Sequence, residues 1–241
     1  MWAIMSGEEW MWRPWGNLLH CVRTGEIAFD HTFGAGMFEY LGEHAEAGDI
    51  FNRVMSISTA GIGDEIAHAY DFSDIALIVD VGGGQGLLLA AILTANQGTR
   101  GILYDAPQVL SGATDLLEAA GVSDHCELVG GDFFESVPSG AEAYIMKWII
   151  HDWDDKRAAT ILKNCRTAMA VDGKVLVVER VLGPGNEPTR EKRSDIMMMV
   201  MPGGQERTEV EFRSLFAAAD LRLVRVVETG AGLSVMECLA A

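Results

Sequence analysis

The stretch KWIIHDWDD, Lys147 to Asp155, ends an apolar run in a histidine, two tryptophans and three aspartates. Three chemistries suit His151. Its unperturbed pKa near 6.5 lets a neutral imidazole take a proton from a hydroxyl at cellular pH. With Asp152, Asp154 and Asp155 it could also hold magnesium, although a hard cation prefers carboxylates and seldom needs an imidazole. The plainest reading is a hydrogen-bonded residue at a strand end. Asp154 and Asp155 also fit the start of a helix, as a cap and a dipole-favourable charge. A base must be oriented and its protonated form stabilised. Glu179 in VVERVL and Glu206 in PGGQERTEVEF are acids placed to do so. Otherwise Glu179 is a surface acid paired with Arg180 or Arg190, and Glu206 a solvated loop acid.

A second group surrounds VDVGGGQG. Gly82, Gly84 and Gly86 allow a tight turn and close approach of a ligand to the backbone. The helix that follows offers free N–H groups to an anion. A dinucleotide fingerprint GxGxxG fails, because Leu87 or Leu89 takes the third glycine position. Asp80 stands two residues before the glycines. Asp105, at the end of RGILYD, can accept both hydroxyls of a ribose. Asp132 and Phe133 in GGDFF can hold an adenine by one hydrogen bond and one stacked ring.

The elements that must position these residues follow from periodicity. IALIVDVGG is a continuous apolar, β-branched run that suits a strand buried on both faces, and RGILYDAP, CELVGGDFF, AYIMKWII and KVLVVERVL read as four further strands. Helical patterns separate them: LLLAAILTAN, QVLSGATDLLEAAGV and DDKRAATILKNCRTAMAVDG. RSDIMMMVM and TEVEFRSLFAAADL read as helices before two closing antiparallel strands, LRLVRVVET and LSVMECLA. The alternation predicts an α/β fold with a doubly wound seven-stranded sheet. Ligands of such sheets bind beyond the carboxyl ends of the strands, where the polar residues above fall. Residues 1–73 read as a helical segment and 74–241 as the ligand-binding domain. Trp15, Leu18, Leu19 and Val22 form one stripe at helical spacing; Phe51, Val54, Met55 and Ile62 form another. Trp2, Trp10, Trp12 and Trp15 crowd the first fifteen residues, more apolar surface than a monomer is expected to cover.

Composition bounds the function. With 241 residues, 49% hydrophobic and 22% charged, the chain is an ordinary globular protein. A net charge of −17 repels nucleic acid and anionic membranes. Cys21, Cys126, Cys165 and Cys238 have no CxxC spacing, which predicts reduced thiols and a cytoplasmic setting. The N-terminus lacks the pattern of a signal peptide, and IMMMVMP is too short to span a bilayer.

The acid followed by GGGxG resembles motif I of S-adenosylmethionine-dependent methyltransferases. VDVGGGQG, YDAP, GGDFF, KWIIHDWDD, KVLVVERVL and GGQERTEVEF together resemble the plant caffeate/flavonoid-type O-methyltransferases and their bacterial natural-product relatives, over about Gly7 to Leu239. The resemblance implies a Rossmann-like class I methyltransferase fold, S-adenosylmethionine as cofactor with S-adenosylhomocysteine as product, and no metal. It implies His151 as base, flanked by Glu179 and Glu206. Lys147 and Trp148 match positions near the cofactor, and Asp152 and Trp153 line the site. Phe51, Met55, Met197, Met198 and Met201 match positions that face a small, flat, hydroxylated aromatic acceptor, where thioethers suit a ring. A methionine stripe at helical spacing fits core packing equally well.

Family members form homodimers through roughly 80 to 100 further N-terminal residues, the size of a small domain. This chain starts where that domain gives way to the helical linker. The expectation is therefore weakened dimerisation. Two alternatives follow: a catalytically weak or non-catalytic cofactor-binding protein, or a relative repurposed for hydroxylation or decarboxylation. The retained histidine speaks against the last.

Overall fold

The computed structural model describes all residues, 1–241. Seven short helices fill the first part: α1 (Trp2–Gly7), α2 (Glu9–Trp12), α3 (Leu18–Thr24), α4 (Ala28–Phe33), α5 (Met37–Glu43), α6 (Ala45–Thr59) and α7 (Ile62–Ala69). Glycines in the left-handed region end α3 at Gly25 and α4 at Gly34. Strands and helices then alternate through β1 (Leu77–Val81), α8 (Leu87–Ala95), β2 (Arg100–Asp105), α9 (Pro107–Leu110), α10 (Ala113–Ala119) and β3 (Cys126–Gly130). They continue with β4 (Ala143–Lys147), α11 (Asp155–Ala168), β5 (Lys174–Glu179), β6 (Val181–Leu182), α12 (Arg190–Val200), β7 (Arg207–Thr208), α13 (Glu209–Ala217), β8 (Leu221–Glu228) and β9 (Ser234–Ala240).

The main sheet has seven strands in the order β3-β2-β1-β4-β5-β9-β8. Its first five strands run parallel, and β9 is antiparallel to both β5 and β8. Chain direction across the sheet reverses between β1 and β4, which opens a crevice at their carboxyl ends. Alternate side chains divide the core. Val79, Val81, Tyr144 and Met146 pack on Leu162 and Phe212 from α11 and α13. Ile78, Leu103 and Ile145 pack on Ile66, Leu89 and Ile92 from α7 and α8. Both faces are covered, which is why these strands are apolar throughout. No helix is long and apolar enough to cross a membrane. All four cysteines are free thiols.

Three sequence expectations change in detail. QVLSGATDLLEAAGV is two helices, α9 and α10, divided at Ser111–Gly112. A side chain at Gly112 would press on Gln85 of the glycine turn, so the break keeps that turn clear. KVLVVERVL bends after Glu179, and its tail becomes β6, which pairs with β7 in a two-stranded ribbon. The stripe Trp15, Leu18, Leu19 and Val22 splits: Trp15 and Leu18 pack on the core, whereas Leu19 and Val22 do not. A 3-10 turn at Arg13–Asn17 resets the helix phase, so Cys21 is buried while Leu19 and Val22 are exposed.

The N-terminal tryptophans also behave differently from expectation. Trp10 is buried and Trp15 half-buried in a third cluster with Met5, Phe29, Val54, Val200 and Met201. Only Trp2 and Trp12 are strongly exposed among the four. The helical segment thus packs directly on α12, and the two share one core.

Candidate active site

A cavity of about 1170 Å³ opens at the carboxyl ends of the parallel strands, roofed by the N-terminal helices and α12. It exceeds the roughly 300–1,000 Å³ typical of a single small-molecule pocket, so two ligands fit side by side.

One end is built from the glycine turn. Gly82, Gly84 and Gly86 all have positive φ, at 67°, 61° and 84°. They do different work. A side chain at Gly82 would collide with Ile149, and one at Gly86 with Leu103. Gly84 faces open space in the cavity, with no atom within 4 Å of the place a Cβ would take. Gly86 does not line the cavity; it packs α8 onto the sheet. Asp105 ties the turn down: its carboxylate accepts hydrogen bonds from the N–H of Gly84 at 2.8 Å and of Ala106 at 2.7 Å. Burial still pushes its pKa up. Asp132 accepts from the Phe134 N–H at 2.8 Å, which closes the GGDFF turn and leaves Asp132 and Phe133 on the cavity wall.

A buried aspartate and a half-buried lysine sense each other below this turn. Asp80 is 1% exposed, and burial raises its pKa to about 7. Lys147 is lowered to about 8 by burial, partly offset by Asp80 and Glu179. Its ammonium lies 3.7 Å from the Trp148 ring centroid. Trp148 itself has φ 57°, a conformation non-glycine residues rarely adopt. Asp80 Oδ2 and Trp148 Nε1 are buried without a hydrogen-bond partner. Orphaned polar atoms beside a cavity fit a polar ligand that completes them.

The other polar centre is His151. It sits in a 3-10 turn, Ile150–Asp152, directly after β4, and is 7% exposed. Nδ1 lies 3.1 Å from Glu206 Oε1 and 3.5 Å from Glu179 Oε2. Carboxylates only accept, so Nδ1 carries a proton toward the glutamates, and Nε2 is the nitrogen that can accept one when the imidazole is neutral. Nε2 lies 3.5 Å from Asp152, and both residues line the cavity. Glu179 also accepts from the His151 backbone N–H at 3.3 Å. Ser194 of α12 donates to Glu206 at 2.6 Å, and Asp195 accepts the Glu206 N–H at 2.9 Å. Glu179 is fully buried and Glu206 3% exposed, so neither is a surface acid.

The charges in this cluster are tightly coupled. Burial disfavours imidazolium, but Glu179, Asp152 and Glu206 outweigh it and raise His151 to about 9. Burial raises Glu179 to about 7 and Asp152 to about 6, against the pull of His151. Glu206 goes the other way: hydrogen bonds from His151 and Ser194 overcome burial and hold it below the usual carboxylate range. The ligand atoms of His151, Glu179 and Glu206 lie within 4.8 Å of one another, close enough for a metal as well as for hydrogen bonds.

Arg207 carries a role that local sequence does not announce. It is 1% exposed, and its guanidinium donates to the carbonyls of Ile150 at 3.1 Å and Trp153 at 2.8 Å. It also donates to Asp155 at 2.9 Å. Asp154 does cap α11, accepting from the Arg157 N–H. Asp155 has a second task beyond starting the helix: it joins Arg207 and Gln205 to the histidine loop. Gly204 completes the join, because a side chain there would collide with the His151 carbonyl.

The far end of the cavity is apolar. Phe51, Met55, Trp153, Met197, Met198 and Met201 all line it, with Met5, Trp10, Met11, Trp15 and Phe38 beside them. Phe38 packs on Trp153 at 5.3 Å between ring centroids. Ser56 of α6 donates to Gln85 at 2.9 Å, which fastens this wall to the glycine turn.

Sheet order, glycine turn and cavity together define a class I methyltransferase fold. Residues 15–222 match the O-methyltransferase domain family, and the chain belongs to that family. A phenazine O-methyltransferase of Lysobacter antibioticus is 47% identical over 235 residues, covering 98% of this chain and 69% of that protein. A mitomycin-biosynthesis 6-O-methyltransferase of Streptomyces lavendulae is 41% identical over 95% of this chain and 66% of its own length. In structure, a neocarzinostatin-biosynthesis O-methyltransferase solved with S-adenosyl-L-homocysteine and 1,4-dihydroxy-2-naphthoic acid has a TM-score of 0.86 and 30% identity. The match covers 98% of this chain and 75% of that one. The chain is an enzyme of the S-adenosylmethionine-dependent O-methyltransferase class.

Proposed function

We propose that this protein moves a methyl group from S-adenosylmethionine to a hydroxyl of a small aromatic acceptor, with His151 as general base. One observation carries the reading: a cavity-lining imidazole whose Nδ1 faces two buried glutamates and whose Nε2, beside Asp152, is the nitrogen left for a substrate proton. Glu179 and Glu206 fix the tautomer and stabilise the imidazolium.

The cofactor end suits S-adenosylmethionine. Gly82 and Gly84 admit its amino-acid part, Asp105 its ribose, and Asp132 with Phe133 its adenine. Asp80, Lys147 and Trp148 complete the polar lining, and Gly86 supports the turn from behind. When bound, the cofactor supplies an electrophilic methyl on a sulfonium. The protein's largest contribution is to hold the two reactants in line, which gives a high effective concentration. A cation in the cavity also opposes the carboxylate field and lowers the imidazole pKa toward neutrality.

Phe51, Met55, Asp152, Trp153, Met197, Met198 and Met201 form the acceptor side. One relative named above is a phenazine O-methyltransferase and another was solved with a dihydroxynaphthoic acid, and the apolar wall supports a flat ring here. Residues 1–73 would then be the acceptor-lining segment and 74–241 the cofactor domain. The family's homodimer is expected to be weakened here, which sedimentation velocity tests. Free thiols fit a reducing, cytoplasmic setting.

The test is incubation with labelled S-adenosylmethionine and a panel of hydroxylated aromatics, alongside thermal shift with S-adenosylhomocysteine. Transfer of label to oxygen is expected. Cofactor binding without transfer to any acceptor would leave only a binding protein.

A further inference from the structure

A second cluster with the makings of a metal site lies outside the cavity. His20 on α3, Glu26 in the loop after it and His31 on α4 bring their ligand atoms within 4.8 Å of one another. None of the three lines the cavity; His20 is half-buried, and Glu26 and His31 are exposed. His20 Nε2 lies 2.7 Å from Glu26 Oε2. The His31 ring stacks on the His20 ring, with centroids 3.9 Å apart and planes 21° apart. An ion pair accounts for the first contact and needs only one imidazole. Two imidazolium rings this close would repel, so the stack requires at least one neutral imidazole, which is the form that binds a metal.

The chain presets this arrangement. Gly25, at φ 76°, ends α3 and turns the backbone toward α4. Thr24 braces the turn: its hydroxyl donates to the His20 carbonyl at 2.9 Å and accepts the Glu26 N–H at 3.1 Å. The Glu26 carboxylate is left for His20. Asn17 donates to Thr32 Oγ1 at 2.9 Å, which ties the start of α3 to the residue beside His31. The neighbours of the ligands grip α12 and the loop after it. Cys21 donates to the Met199 carbonyl at 3.4 Å. A side chain at Gly203 would collide with Ile27, so these two residues touch directly. Whatever joins His20, Glu26 and His31 therefore clamps the corner on which α12 rests.

We propose that His20, Glu26 and His31 bind one ion of the zinc class, on the outer surface of the helical segment and apart from methyl transfer. Two imidazoles and a carboxylate suit zinc, nickel or copper, whereas magnesium and calcium prefer all-oxygen sites. Zinc ligands sit about 2.1 Å from the ion, hence roughly 3.4 Å apart. Rotation of the side chains closes the present spread of up to 4.8 Å to that separation. An ion lies in the plane of the ring that binds it, so the exposed His31 swings out of the stack while His20 and Glu26 keep their places. Water takes the fourth position on this open surface. A chain of net charge −17 also draws divalent cations toward it.

Calorimetric titration of the chelator-stripped protein with zinc tests this without turnover. One ion per chain is expected at the tightest site, and excess magnesium should not displace it. The melting temperature should climb with zinc concentration, because the ion binds the folded clamp. Loss of an outer-shell partner typically costs about 10–100-fold in metal affinity, so loss of a ligand should cost at least that. His20→Ala, Glu26→Gln and His31→Ala should each weaken zinc binding by that amount, with circular dichroism showing each variant folded. The buried trio of His151, Glu179 and Glu206 is the control: His151→Ala should leave zinc affinity unchanged. Affinity that survives the three surface variants overturns the proposal. Binding lost in His151→Ala also overturns it, by giving the ion to the buried trio. Absent uptake, or weak uptake equal in native and variant proteins, means an adventitious ion only and overturns it too.

Discussion

The two halves of the cavity are held together by different physics. Around His151, Glu179, Glu206 and Arg207 are buried, Ser194 half-buried, and hydrogen bonds of 2.6 to 3.3 Å join them. Around the acceptor, Met55, Met197 and Met201 make contacts without direction. Hydrogen bonds fail steeply when bent or stretched, whereas a thioether re-packs at little cost. The polar half therefore sets what chemistry occurs, and the apolar half sets which ring it occurs on. The difference predicts that damage should be abrupt in one half and gradual in the other.

Replacing His151 with Ala should give the largest effect. Loss of a positioned base typically costs about 10²–10⁴ in rate. The kcat for methyl transfer should fall by that order, with S-adenosylhomocysteine affinity kept, because the glycine turn and Asp105 are untouched. Near-normal kcat would move the chemistry away from the imidazole. Activity lost in a chelator and restored by a divalent ion would give His151, Glu179 and Glu206 to a metal.

Arg207→Met comes next. It leaves the Trp153 carbonyl without a donor inside the protein and the Ile150 carbonyl with only the Trp153 N–H at 3.3 Å. Each buried acceptor left unpaired costs about 1–3 kcal/mol. Asp155 is largely exposed and adds little. The expected result is a clear fall in melting temperature and in kcat together, since the same carbonyls hold the histidine loop. A fall in stability alone would show that the loop keeps its place without the arginine.

These residues also mark where sequence reading stops. Strands β1, β4 and β5 were legible because a strand covered on both faces is apolar along most of its length. The acids Asp80 and Asp105 were legible because they end apolar runs. Arg207 was not, since its partners lie more than fifty residues away and no local pattern links them. Gly86 sits in the motif yet serves packing rather than the cavity. Trp10 and Trp15 gave a visible signal that pointed outward, while the fold turns them inward. Their destination depends on α12, which joins the same core from almost two hundred residues later.

Glu179→Gln separates position from charge within the polar half. It keeps a carbonyl oxygen for the His151 N–H and removes one negative charge from the imidazole. The base works when neutral, so activity rises as pH climbs through the imidazole pKa, about 9 in the cofactor-free site. Loss of a neighbouring opposite charge lowers a pKa by roughly 1–3 units. The acid limb of kcat/KM should therefore shift to lower pH in this variant. An unmoved limb would assign it to another group.

Met197→Leu should do least. The two side chains have similar volume, and such swaps usually cost under about 1.5 kcal/mol. What changes is adaptability: leucine is branched and has fewer rotatable bonds. The variant should keep kcat on acceptors that fit and lose efficiency on those that require the wall to move. A panel of rings of graded width reads this as a narrower range, not a lower maximum. If every acceptor lost rate equally, Met197 would belong with the rigid polar half, and the division drawn between the two ends of the cavity would move past α12.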